Sequence, residues 1–319
     1  MALMRISRRA AALGVLALAT GAARAEPLGA GGAEVLRGRR DLTSRLATPV
    51  YINGKGPFAF VVDTGANRSV MAAELAAELG LPAGRPARIH GIVGLQDAAT
   101  VNVQSFTAGK LRLPIADVPV LRREDLGCDG FLGLDAFRNR CVAFDFRRGQ
   151  VSILPGGFGA LDARGSDASL TSDVVVRARG RFGQLTIAQA EVVDERISCF
   201  IDSGAQLSVG NLAMRRILKA RTADRGFAPI QVVLYGATGQ QARGEVAQVP
   251  RLGVGALRFT NFNMCFADLH TFSLWGMQDR PAMMMGMDLL SLFQLVMVDF
   301  SQNAVRFRMA QAMAPPARS

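Results

Sequence analysis

The chain has 319 residues, enough for one large domain or two ordinary ones, and half of them are apolar, so it can bury a sizeable core. The net charge is +11, but the basic residues are scattered and no aromatic side chains interleave with them, which argues against a nucleic-acid-binding protein. With two histidines, four cysteines and no CxxC pair, the chain lacks the ligand pattern of a zinc site. We therefore expect neither a metal nor another cofactor.

Residues 1–25 have the pattern of a secretory signal peptide. They combine a basic start, a short apolar run and a small-x-small ending, with cleavage expected after Ala25. The apolar run is too short to cross a bilayer, so we expect no stable membrane insertion. The pattern predicts a periplasmic or secreted protein that begins with an N-terminal segment, residues 26–44, for which an inhibitory pro-segment is one open interpretation.

The remaining sequence contains the same features twice, in the same order. Each half begins with an apolar strand that ends in an acid, a hydroxyl residue and glycine, as "FVVDTGA" and later as "CFIDSGA". A short amphipathic helix follows, predicted over "SVMAAELAAELG" and "NLAMRRILKA". The repetition predicts two lobes of similar construction.

Two further features complete each half. A hairpin punctuated by glycine comes next, "RIHGIVGLQ" and "VVLYGATGQQ", and an apolar run then leads into Gly-x-Asp, "GFLGLDAF" and "MMMGMDLL". The acids of these last segments, Asp135 and Asp288, are placed to cap the short helices that follow them. Short β-branched runs with turn signals dominate, which predicts an all-β chain with a few short helices.

The predicted organisation is a lobe at residues 45–155, a linker at 156–172 and a second lobe at 173–309. The linker is rich in glycine, serine and aspartate and has no hydrophobic period. The last residues, 310–319, are predicted to be a disordered tail.

An acid at the end of a buried strand is costly unless it is hydrogen-bonded or used chemically. If the two lobes bring Asp63 and Asp202 together, two like charges at close range cannot both ionise easily, and the pair shares one proton. Such a pair can hold a water molecule, with one carboxyl group acting as base and the other as acid. A Ser or Cys nucleophile would need a histidine base nearby, and the two histidines lie in loop-like settings.

Both halves resemble retropepsin-like aspartic peptidases. "DTGANRSV" and "DSGAQLSV" are similar to the active-site strand and turn of that family, and "FLGLDAF" and "MMGMDLL" to its second signature. The resemblance implies a bilobal pepsin-like acid protease fold, made of two pseudo-symmetric β-barrel-like lobes fused in one chain, and a monomer. It also implies a peptide or protein substrate.

The resemblance assigns roles to particular residues. It implies that Asp63 and Asp202 are the catalytic acids. The residues that support this dyad would be Thr64, Gly65, Ser203 and Gly204. The candidate flap or substrate-binding residues are His90, Gly91, Tyr235 and Gly236, although pepsins carry their flap tyrosine in the first lobe and this chain has it in the second.

The expected function is that of an exported aspartic endopeptidase. One alternative is a catalytically inactive bilobal protein that binds peptides without cutting them. Another is a processing enzyme that acts on a single target. Since Ala66 and Ala205 offer no side-chain donor to the neighbouring carboxylates, we expect activity at mildly acidic to near-neutral pH.

Overall fold

The computed structural model describes residues 5–6, 34–36, 39–40, 45–109, 111–157, 173–181, 184–221 and 230–309. Strands of the first half are β1 (Arg5–Ile6), β2 (Glu34–Leu36), β3 (Arg39–Arg40), β4 (Leu46–Ile52), β5 (Lys55–Val62), β6 (Val70–Ala72), β7 (Ala87–His90), β8 (Leu95–Ala98), β9 (Thr100–Asn102), β10 (Phe106–Ala108), β11 (Leu111–Arg112), β12 (Asp117–Leu121), β13 (Gly130–Leu132), β14 (Arg140–Asp145) and β15 (Gln150–Pro155). Those of the second half are β16 (Asp173–Arg181), β17 (Gln184–Val192), β18 (Glu195–Ile201), β19 (Val209–Gly210), β20 (Ile230–Tyr235), β21 (Gln241–Val254), β22 (Leu257–Ala267), β23 (Ala282–Met285), β24 (Leu295–Asp299) and β25 (Ala304–Arg308). The helices are α1 (Ala73–Glu78), α2 (Arg123–Leu126), a 3-10 turn (Leu134–Ala136), α3 (Leu212–Arg221), α4 (His270–Leu274) and α5 (Met287–Leu290).

Two large sheets and one separate hairpin make up the fold. Most first-half strands form a nine-stranded sheet, in the order β11-β10-β4-β5-β13-β6-β12-β9 with β3 beside β4. The second half forms most of a fourteen-stranded sheet, in the order β1-β20-β21-β22-β19-β23-β18-β17-β16-β25-β24-β14-β15-β2. Strands β7 and β8 pair only with each other. This architecture confirms the predicted all-β, bilobal fold with short helices.

The two halves share part of the larger sheet. Strand β14, from the first half, pairs antiparallel with β24, from the second, so that Cys141 lies opposite Asp299 and Asp145 opposite Leu295. The last strands of the first half therefore connect the lobes. The domain boundaries stay a prediction. Most of the predicted signal peptide and N-terminal segment, residues 158–172 of the linker and the whole tail lie outside the described residues.

The strand that ends at each acid is paired in the same way in both halves. Strand β13 runs parallel to β5, with Leu132 opposite Val62, and β23 runs parallel to β18, with Met285 opposite Ile201. All four of these side chains are buried. Their continuous apolar character is typical of strands that are covered on both faces. Each acid therefore begins its turn from a strand fixed deep in the core.

The two predicted amphipathic helices are confirmed, with shifted bounds. The first is shorter than its pattern, because residues 70–72 continue as strand β6 before α1 begins. The second, α3, begins after Asn211, whose Oδ1 accepts a hydrogen bond from the backbone N–H of Met214 at 2.9 Å. Among the helices in the described part of the chain, none is both long and apolar enough to span a membrane.

Candidate active site

The two predicted catalytic acids are buried at the ends of their strands. Asp63 and Asp202 have no exposed surface. Oδ1 of Asp63 accepts hydrogen bonds from the backbone N–H groups of Gly65 and Ala66 at 2.8 and 3.0 Å. Oδ1 of Asp202 accepts the same pair of bonds from Gly204 and Ala205 at 3.0 and 3.1 Å. The turn after each strand therefore fixes one oxygen of each carboxyl group.

The second oxygen of each acid is in a different situation. Oδ2 of Asp63 and Oδ2 of Asp202 are both buried and hydrogen-bond to no other described residue. A buried polar atom without a partner is costly, so each such atom in a native protein calls for an explanation, of which a catalytic role is one. The unbonded oxygens are thus the atoms of this pair that are available to a ligand.

The glycine of each turn faces the acid of the other half. A Cβ atom built on Gly65 would lie 2.4 Å from Cγ of Asp202, and one built on Gly204 would lie 2.3 Å from Cγ of Asp63. Both distances are far below van der Waals contact, so any side chain at these positions would displace the facing carboxyl group. Glycine is required here because of this close approach. The structure therefore brings Asp63 and Asp202 together where the halves meet.

The hydroxyl residues exchange hydrogen bonds across the same contact. Oγ1 of Thr64 donates to the carbonyl oxygen of Ile201 at 3.0 Å and accepts from the N–H of Ser203 at 3.0 Å. Oγ of Ser203 donates to the carbonyl oxygen of Val62 at 2.8 Å and accepts from the N–H of Thr64 at 3.1 Å. Each hydroxyl therefore ties its own turn to the backbone of the other half.

Burial raises the pKa values of both acids, and the charge of the neighbouring acid adds to the rise at Asp202. Desolvation raises the pKa of Asp63 from 3.8 to about 6, against the lowering effect of the N–H group of Gly65. Desolvation also raises the pKa of Asp202 well above 3.8, and the charge of Asp63 raises it further. Since the two carboxyl groups interact, the proton belongs to the pair. The site favours a state with one shared proton in mildly acidic solution.

The acids of the Gly-x-Asp segments do not cap helices as predicted. Residues Gly133 and Gly286 occupy the N-cap positions, and neither makes a side-chain cap bond. Instead, Oδ1 of Asp135 accepts a hydrogen bond from Oγ of Ser69 at 2.7 Å, and Oδ1 of Asp288 accepts one from Oγ of Ser208 at 2.6 Å. Each serine lies six residues after a dyad acid. Asp135 and Asp288 therefore fix, through these hydrogen bonds, the segments that follow Asp63 and Asp202. Cap propensity alone does not indicate this role.

The two predicted flaps are hairpins that touch each other at their tips. The first hairpin consists of β7 and β8 and the second of β20 and β21. A Cβ on Gly91, at the first tip, would lie 2.2 Å from Oε1 of Gln240, and one on Gly236, at the second, would lie 2.9 Å from Cγ1 of Ile92. Tyr235 is half-buried and pairs across the second hairpin with Gln241. The structure thus places all four predicted flap residues at or beside this contact.

The histidine of the first tip has a partner that sequence reasoning missed. Nδ1 of His90 lies 2.9 Å from Nε2 of His270, which belongs to helix α4 of the second half. The only signal in the sequence was that these are the two histidines of the chain. A cavity of about 240 Å³ lies beside the contact, between strands of the first half and Thr238 of the second tip.

Other chemistries find little support in the described residues. The four cysteines carry free thiols, and burial raises the pKa values of Cys141, Cys199 and Cys265 to about 12, which disfavours reactive thiolates. Within the described ranges, no cluster of three His, Cys, Asp or Glu side chains could hold a metal ion.

A comparison with models of known protein families finds a match in the first half of the chain. Residues 48–136 match a family model described as aspartyl protease. The matched segment contains Asp63 with its turn, the first hairpin and the Gly-x-Asp segment around Asp135. A search among curated proteins finds no match for the sequence.

Proposed function

We propose that the protein is an aspartic endopeptidase whose active site is completed by the second half, since residues 48–136 match a family model described as aspartyl protease. The observation that carries this proposal is the mutual approach of the acids, in which each carboxyl group lies against the turn glycine of the other half. Asp63 and Asp202 are the catalytic residues. Thr64 and Ser203 hold their turns in register.

The reaction is a direct attack by water on a peptide carbonyl group. The two unbonded Oδ2 atoms hold the water molecule between them. The ionised carboxyl group takes a proton from the water while the oxygen of the water bonds to the carbonyl carbon of the peptide. At the same time the protonated carboxyl group donates its proton to the carbonyl oxygen. The carboxyl group that took the proton from the water then donates it to the nitrogen of the leaving amine, while the other carboxylate takes back the proton of one hydroxyl group of the tetrahedral intermediate. The C–N bond breaks, the carboxylic acid product forms and the dyad is left with one proton, and no covalent bond to the enzyme forms.

The substrate is an extended peptide held between the halves and covered by the two hairpins. Hairpin strands present backbone N–H and C=O groups that can pair with an extended chain. The neighbouring cavity, walled by Gln96, Asp97 and Leu121 among others, has room for a side chain of such a peptide. The enzyme works as an exported monomer, released into the periplasm or the medium after removal of residues 1–25.

The decisive experiment compares variants of the two acids on a diverse peptide library. Wild-type protein should cleave peptides, with inhibition by a pepstatin-type compound, and Asp63→Asn and Asp202→Asn should each lower cleavage by at least about a thousandfold, since a dyad with one acid removed cannot move both protons. Asp117→Asn is the matched control, because Asp117 is an exposed acid of β12, and it should cleave at the wild-type rate.

Two outcomes would contradict the proposal. Cleavage that survives in both dyad variants would point to another catalyst or to a contaminant. Wild-type protein that binds library peptides as tightly as Asp63→Asn does, and cleaves none of them, would establish the inactive peptide-binding protein instead.

A further inference from the structure

The tip of the first hairpin is attached to the second half through its backbone. The N–H of His270 donates to the carbonyl oxygen of Ile92 at 2.8 Å. The N–H of Val93 donates to Oε1 of Gln240, at the tip of the second hairpin, at 3.2 Å. Since β7 and β8 pair with no other strand, these contacts help to determine where the first hairpin lies.

A buried side chain reinforces the attachment. Ile92 has no exposed surface, although it sits at a hairpin tip. It belongs to an apolar cluster whose other members come from the second half and include Leu234, Leu269, Phe272 and Trp275. A single isoleucine side chain removes little apolar surface from water compared with the core of a whole lobe. The apolar contact of Ile92 is therefore modest, and a second interaction of similar strength could decide whether the first hairpin is open or closed.

The pair of histidines supplies that second interaction. The facing nitrogens, 2.9 Å apart, can share a hydrogen bond only if one of them carries a proton and the other does not. The bond therefore exists when both rings are neutral or when one is protonated. When both rings are protonated, two N–H groups and two positive charges face each other, and the contact becomes repulsive.

We propose that His270 is a positioning residue that, together with His90, holds the first hairpin closed, and that protonation of both rings releases it. The proposal rests on the proposed function, which places this hairpin over the bound peptide. The peptide would enter and leave when the pair opens and would be held when it closes. In this way the histidine pair would regulate access to the dyad.

The surroundings of the pair set the direction of its pH response. Burial lowers the pKa of His90 below 6.5, and the charges of His270 and Arg88 lower it further. Among the described residues, the side chains of Ile92, Thr238 and Gln240, which also pack at this tip, carry no charge. Because the closed form binds protons less readily than the open form, closure is most favoured above pH 6.5 and is weakened as the pH falls from 6.5 towards the lowered pKa of His90. In that window the ratio of open to closed hairpin rises by up to about tenfold per pH unit.

The single tryptophan of the chain offers a test that does not depend on activity. Trp275 is 1% exposed and shares its apolar cluster with Ile92. The double variant Asp63→Asn, Asp202→Asn serves as background, because it removes the titration of the dyad. We expect acrylamide quenching of Trp275, measured by fluorescence lifetime, to rise several-fold between about pH 7.5 and about pH 5.

Histidine variants in the same background show whether the pair causes this response. His270→Gln and His90→Gln should each make the quenching independent of pH, because the amide oxygen can accept a hydrogen bond from the remaining ring in either protonation state. Ile92→Ala should raise quenching at every pH. Using two histidine variants keeps the test valid if one fails to fold, which circular dichroism would show.

The proposal is overturned if quenching in the background protein does not change with pH, or if both glutamine variants keep the original pH response. Neither result bears on catalysis, because the background protein lacks both acids. Conversely, loss of pH dependence in the glutamine variants would support the histidine pair even if the wild-type protein cleaved no peptide.

Discussion

The exchange of hydroxyl bonds between the turns can be tested at Thr64. Replacing it by valine removes the hydroxyl group and keeps the volume of the side chain. Two buried backbone groups then lose their partners, the N–H of Ser203 and the carbonyl oxygen of Ile201. At about 1–3 kcal/mol for each of the two unsatisfied groups, the free energy of unfolding should fall by about 2–6 kcal/mol.

Thr64→Ser is the matched control, because it loses only a methyl group and retains both hydrogen bonds. It should cost less than about 1.5 kcal/mol. Urea unfolding followed by circular dichroism measures the difference as a shift in the midpoint at constant slope. If Thr64→Val and Thr64→Ser unfold at the same urea concentration, the hydroxyl group does not join the halves, and the reasoning about the turns fails.

Three further expectations concern the dyad. Gly65→Ala should abolish cleavage, because the added Cβ would lie 2.4 Å from Cγ of Asp202. Gly94→Ala is the control and should still cleave, because no heavy atom lies within 4 Å of a Cβ added there. Equal cleavage rates for the two variants in a peptide assay would exclude the close approach of Gly65 to Asp202. Ala66→Ser adds a hydroxyl donor beside Asp63 and should lower the pKa of that acid, so the acid limb of the pH–rate profile should shift to lower pH by about 1 pH unit. An acid limb at the same or a higher pH would contradict this expectation. The pKa of Asp63 rises from 3.8 unfolded to about 6 folded, so the folded state binds more protons and loses stability as the pH rises through that window. Asp63→Asn should therefore raise the melting temperature at pH 7 and have little effect below pH 3.8; a variant that melts earlier at pH 7 would refute the raised pKa.

The internal repetition of the sequence predicted two lobes of similar construction, the β-branched runs predicted an all-β chain, and the resemblance to retropepsin-like peptidases implied the bilobal acid protease fold. Each repeated unit has a local physical cause, since an apolar run followed by an acid, a hydroxyl residue and glycine is typical of a buried strand that ends in a tight turn. The same logic led to Asp63 and Asp202, whose approach the structure shows, while their catalytic role remains a proposal. The joining of β14 to β24 could not be read in this way, because strand pairing between distant segments leaves no periodic signal.

Contacts between side chains that are far apart in the chain were the main omission. Asp135 followed a glycine before a helix, so its local sequence indicated a cap, but its partner Ser69 lies 66 residues away. His90 and His270 are 180 residues apart, and the sequence around each histidine does not indicate that the other is its partner. A sequence shows which residue is exceptional in its segment, whereas the partner is fixed by how the segments pack.

The two titrating pairs give the acid side of the pH–rate profile two separable causes. In the proposed mechanism, a fall in pH gives the dyad its second proton, so that the dyad can no longer activate water. In the proposed regulation, protonation of both histidines frees the first hairpin. Only the first cause involves the reacting atoms, so it should lower kcat, whereas release of the hairpin should raise KM by weakening the hold on the peptide. His270→Gln removes the second cause alone. If the hairpin covers the substrate as proposed, this variant should keep the acid fall in kcat and lose the acid rise in KM, and a variant in which both persist would separate the histidine pair from substrate binding.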